Sequence, residues 1–152
     1  MNLVRSLAKP YSAIARLLDF TAPLFDLGIR LWVSWVFFNS ALSKLQNWDG
    51  TLMLFRSEYE VPLLPPDIAA YAGTAAELGL PVLVAIGLAS RFSALALFGF
   101  NAIAVIAYAG FLFGDNGTAL LQQHIMWGVM LLITVFHGPG KLSLDHWLCM
   151  KC

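Results

Sequence analysis

The feature that most constrains this chain is a set of four apolar runs, each about as long as a bilayer is thick. They read as Leu24 to Leu45, Ile68 to Ala89, Phe92 to Phe113 and Ala119 to His137. At 1.5 Å rise per residue, about 20 helical residues cross the ~30 Å hydrocarbon layer. Within that layer a segment has to pair its own backbone polar groups, so helices are the expected elements. Of the 152 residues, 59% are hydrophobic and 12% charged, against roughly 45–50% apolar in soluble domains. The expected fold is therefore all-α: an integral membrane four-helix bundle over residues 24–137, with an interfacial segment before it (1–23) and a cytoplasmic tail after it (138–152).

The first run is too long for a signal-peptide core of about 7–15 residues and contains Arg30, so it is expected to remain as a helix. Ahead of it, Leu3, Leu7, Tyr11, Ile14, Leu17 and Leu18 recur near helical spacing, with Arg5, Lys9 and Arg16 on the polar side. That pattern predicts an amphipathic helix in the membrane interface, broken at Pro10; a flexible basic tail is the alternative. Arg5, Lys9, Arg16, Arg91, Lys141 and Lys151 fall on one side of the four spans, against Arg56 and the boundary residue Lys44 on the other. Positive residues stay inside, so both termini are expected in the cytoplasm and the loop from Gln46 to Asp67 outside, with Trp48 and Tyr59 as interfacial anchors. GLASRF and GDNGT read as turns. A formal net charge of zero offers nothing to nucleic acid.

Polar residues inside the spans carry the functional question. Counting from the middle of each span places Glu77 and Asn101 within roughly 2–3 Å of the midplane, Asn39 and His124 about 6–7 Å outward, Lys44 about 14 Å outward and Arg30 about 7 Å inward. On the first helix Arg30, Ser34, Phe37, Ala41 and Lys44 form one stripe and Asn39 points away from it. On the second, Ala70, Gly73 and Thr74 share the face of Glu77, a small-residue surface suited to close helix approach. Pro81 cannot donate to the Glu77 carbonyl and is expected to kink the helix. On the fourth, His124, Gly128, Leu131 and Val135 share a face. Two readings of Glu77 stand side by side. It pairs with Arg30, or with Asn101 and His124, and fixes helix register; or Glu77 and His124 handle protons, with Arg30 as counter-charge. Asn39, Asn101 and Lys44 are candidate cofactor-binding residues.

Both cysteines lie in the last four residues, which excludes a disulfide framework. With His146 they make H-x-x-C-x-x-C, a spacing open to a soft metal ion through His146, Cys149 and Cys152, or to dithiol chemistry. A frayed tail with incidental cysteines is the plainer reading, because no second ligand pair accompanies them.

Over about Asp26 to Trp147 the chain resembles the DoxX family of small four-helix membrane proteins. The resemblance rests on a first helix ending in Lys44, on VPLLPPDIAAYAG, on AELGLPVLVAIGLASRFSALAL with Glu77, Gly87 and Arg91, and on GPGKLSLD near the end. It is similar to the small subunit of an archaeal thiosulfate:quinone oxidoreductase, which implies a bacterial inner-membrane protein tied to redox chemistry through quinone or thiol electrons and working with a partner protein. No agreed catalytic residue comes with the family. The alternative class is a non-catalytic anchor or assembly subunit, in metal handling for instance; a small-solute transporter is weaker, since four helices without an inverted repeat are few for alternating access. A homodimer through small-residue faces is compatible with either class.

Overall fold

The computed structural model describes residues 2–148, with side chains for residues 11, 12 and 14–148. Within that range the chain is all-helical. The elements are α1 (Asn2–Gln46), α2 (Trp48–Ser57), α3 (Pro66–Ile86), α4 (Ser90–Ala107), α5 (Ala109–Leu112), α6 (Thr118–His137) and α7 (Leu144–Trp147). Three helices, α3, α4 and α6, are long and apolar enough to cross a membrane, with mean hydropathies of 1.5, 1.6 and 1.6. The later part of α1 packs with them, against α3 and α6.

α1 is one helix of 45 residues. At 1.5 Å per residue it is about 67 Å long, more than a whole bilayer with its headgroups. It runs through Pro10, where a break was expected: the lost hydrogen bond is outweighed by strong helix formers on both sides, among them Leu7, Ala8, Ala15 and Arg16. Tyr11, Ile14, Leu17, Leu18 and Phe20 on this early part are all exposed. From Arg30 onward one stripe turns inward, and Arg30, Val33, Ser34, Phe37 and Ala41 are buried.

α3 starts on Pro65 and Pro66, where a missing N–H costs nothing, and stops at Gly87, whose φ of 72° is the left-handed cap glycine tolerates best. Its buried face is Ala70, Thr74, Glu77, Pro81 and Val84, the helical spacing expected of a surface facing neighbours. The central core joins Val33 and Phe37 of α1, Val84 of α3, Ala94 and Leu97 of α4 and Leu131 of α6.

The run from Phe92 to Phe113 is interrupted at Tyr108, which separates α4 from α5. The Ala107 carbonyl, due to accept from Phe111 in a continuous helix, instead accepts from the Glu60 N–H at 2.8 Å, and the Phe111 N–H turns to Tyr108 at 3.2 Å. The segment between the first two long helices also holds more order than a loop. The Asn47 side chain accepts from the Gly50 N–H at 3.1 Å and starts α2, whose Phe55 packs with Ala69 and Ala70. α2 thus forms a cap over one end of the bundle, while residues 138–148 fold against the other. These are called here the cap end and the tail end.

Candidate functional site

Beneath the cap lies a cavity of about 470 Å³, walled by α1, α3, α4 and α6 and closed above by α2 and the segment after it. Most of the lining is apolar: Phe37, Phe55, Phe100, Ile103 and Trp127, with Ala72, Gly73 and Ala76 forming a thin α3 wall. The polar groups that reach it are Ser40, Lys44, Tyr59, Glu77, Tyr108 and His124. An apolar chamber with a few placed polar groups is the usual form of a small-molecule site.

Lys44 is the partner of Glu77. Its Nζ pairs with Glu77 Oε2 and donates to Ser40 Oγ at 3.0 Å, and the Ser40 hydroxyl donates to Glu77 Oε1 at 3.3 Å. Ser40 and Lys44 sit one turn apart on α1, so both reach α3 from one face. The lysine stem folds back toward the bundle centre, which bridges the depth difference counted along the sequence. The side chains of Lys44 and Glu77 are 20% and 8% exposed, leaving the ammonium open to the cavity.

Arg30 does not meet Glu77. Its guanidinium donates to the Val84 carbonyl at 3.4 Å and to the Leu142 carbonyl, and its charge interacts with Asp26 and Asp145. Asn101 and His124 bind each other: Asn101 Nδ2 donates to the His124 carbonyl at 3.0 Å, and Asn101 Oδ1 lies 2.8 Å from His124 Nδ1. The imidazole leans edge-on to Trp127, ring centres 4.9 Å apart. Gly128 packs beside the pair, where a Cβ would stand in ordinary contact, 3.4 Å from the Phe98 ring and 3.6 Å from Asn101 Nδ2. Asn39 is exposed on the far side of α1 and does not line the cavity. So Lys44, Glu77 and His124 converge on one chamber with Asn101 behind the imidazole, while Arg30 and Asn39 lie elsewhere.

Three polar cavity residues, Ser40, Tyr59 and Tyr108, lay outside the sequence reading of the site. Tyr59 packs edge-on against Tyr108 and Phe55, each at 4.8 Å between ring centres. Burial above all, with the neighbouring Tyr108 and nearby acids, pushes the Tyr59 phenol above its ordinary range, so it stays protonated as a donor. The aromatic spacing around Tyr59 offered no signal beyond interfacial anchoring.

At the tail end polar groups link the elements, while Arg30 Nε, Ser90 Oγ and Arg91 Nε are buried with no hydrogen-bond partner among the described residues. Asp145, buried, accepts from the Ala89 and Ser90 N–H groups at 2.8 and 2.7 Å and so caps α4, and its own N–H donates to the Gly87 carbonyl at 3.0 Å. Gly87 has no room for a side chain, because a Cβ would overlap Arg30 and Ser143. Gly140, at φ 71°, brings the turn onto Asp26. His146 is exposed. Cys149 and Cys152 lie outside the described residues. Among those residues no group of three His, Cys, Asp or Glu side chains is placed to hold a metal ion.

A helical bundle whose long apolar helices surround a chamber with a buried ion pair is a multi-pass membrane protein. The chain belongs to the DoxX family, which it matches over residues 25–110, from the inner stretch of α1 into α5. An uncharacterized protein of Haemophilus influenzae is 36% identical over 122 residues, covering 77% of this chain and 78% of that one. No solved structure matches.

Proposed function

We propose that this DoxX-family protein holds a quinone, or a closely related amphipathic ring compound, in the chamber under α2 and serves a redox partner in the bacterial inner membrane. In this reading residues 24–45 of α1 form a fourth span, and the tail end and both termini face the cytoplasm. The observation that carries it is the chamber itself: aromatic walls for a ring, and Lys44, Glu77 and His124 converging on a space of about 470 Å³ at membrane depth. Lys44 would hold a ligand oxygen, Glu77 would balance that charge, and Glu77 and His124 would take up or release protons as electrons pass to or from the partner.

The test is native mass spectrometry of protein extracted gently from its own membrane. A retained quinone, lost on Glu77→Gln with folded protein still recovered, is expected. A stoichiometric protein partner without any quinone would make the chain an accessory subunit and leave the ion pair with a packing role. That second reading has support of its own in the exposed apolar residues of early α1, which include Phe20 and Phe25.

A further inference from the structure

The Asn101–His124 pair determines which end of a ligand the chamber can accept. Asn101 Nδ2 is committed to the His124 carbonyl at 3.0 Å, so Asn101 Oδ1 is the atom that faces Nδ1 at 2.8 Å. Turning the amide over would set oxygen against the carbonyl oxygen. A carbonyl oxygen only accepts, so the neutral ring carries its proton on Nδ1 and keeps a lone pair on Nε2. Among the described residues Nε2 has no hydrogen-bond partner, and the ring lines the cavity.

We infer that the chamber selects a ligand bearing a hydroxyl: His124 Nε2 accepts a ligand O–H, Lys44 donates to a second ligand oxygen, and Asn101 is a positioning residue that sets the tautomer. Resting on the quinone reading above, the inference makes the reduced form, the quinol, the preferred occupant. A quinol hydroxyl donates to Nε2, whereas a quinone carbonyl would turn its lone pairs toward the nitrogen lone pair. At Lys44 either form serves, because carbonyl and hydroxyl oxygens both accept from an ammonium. One added hydrogen bond in a desolvated site corresponds to about five- to tenfold in affinity.

Two measurements on the detergent-solubilised full chain test it. Histidine labelled with ¹⁵N is expected to show His124 with a protonated Nδ1 and an unprotonated Nε2 at neutral pH; a proton on Nε2 overturns the inference without any ligand being present. Decylubiquinol is expected to bind about five- to tenfold more tightly than decylubiquinone, and Asn101→Leu, which frees the imidazole to present a proton at Nε2, to erase that preference. Equal binding of the two forms by the unaltered protein refutes the selection and spares the quinone reading, whereas binding of neither form refutes the quinone reading itself. The tautomer measurement needs no variant, so a poorly folded Asn101→Leu leaves the inference testable.

Discussion

Removing Lys44 and Glu77 singly and together separates an ion pair from two neighbours that happen to be close. In Lys44→Met the Glu77 carboxylate, 8% exposed, keeps only the Ser40 hydroxyl, and the cost expected for an orphaned buried charge is about 3–5 kcal/mol. Glu77→Met leaves an ammonium that is 20% exposed and open to the chamber, so water offsets part of the loss and about 2–3 kcal/mol is expected. The double replacement puts two apolar chains of similar length where the charges were, at about 0–1.5 kcal/mol. The coupling between the sites is then several kcal/mol, well beyond the ~0.5 kcal/mol scatter of independent positions. Unfolding by SDS titration in mixed micelles, followed by tryptophan fluorescence, measures all three. Single costs that simply add in the double variant would refute the pairing. A refolded double variant that no longer binds ligand would show that the charges serve the chamber rather than the fold.

Asp145→Ala strips the acceptor from two N–H groups at the start of α4 and is expected to cost about 2–4 kcal/mol in the same titration, Asp145→Asn about half of that because one acceptor oxygen remains. Gly87→Ala forces a side chain into a left-handed position already filled by Arg30 and Ser143; limited trypsin digestion is expected to cut at Lys141 in that variant well before it does in the unaltered protein. Arg56 and Asp67 form a close pair at 2.7 and 2.8 Å, yet both are more than half exposed, so Arg56→Gln is expected to leave thermal stability unchanged at physiological salt.

Hydrophobic run length was enough to locate α3, α4 and α6, since a span needs about 20 apolar residues whatever it packs against. Helical spacing was enough to find the buried stripes of α1 and α3 as well, because those depend only on a 3.6-residue period. The partner of Glu77 did not follow, because depth counted along straight helix axes ignores the reach of a lysine stem, and Arg30 and Lys44 share one stripe. The end of α4 at Ala107 was hidden for a different reason: its cause is a hydrogen bond from Glu60, 47 positions earlier, and no local pattern at Tyr108 records it. α2 was missed because WDG looks like a turn unless Asn47 is recognised as a cap. Asn101 and His124 were each picked out as polar residues at membrane depth, but their direct hydrogen bonding to each other follows from the packing of α4 against α6, which no local pattern records.

The two ends of the bundle treat their polar groups in opposite ways. At the tail end, GPGKLSLD supplies the acceptors that Arg30 and the α4 N-terminus require, and Gly87 and Gly140 let the backbone come close enough to deliver them. Replacing Asp145 there exposes unpaired groups to an apolar interior, so those residues answer to stability. At the cap end, Lys44, Glu77 and His124 border an unfilled space, and apolar side chains of equal volume would pack it better. A bundle that closes one end on the Asp145 caps and keeps a cavity around an ion pair at the other gives up packing at a particular place. The offset comes from the tail: the two charge-assisted caps from Asp145 stabilise α4, the helix that also carries Asn101 and one wall of the chamber. The GPGKLSLD stretch thus holds the scaffold, while the candidate site residues Lys44, Glu77, Asn101 and His124 are scattered along the sequence and come together only through α1, α3, α4 and α6.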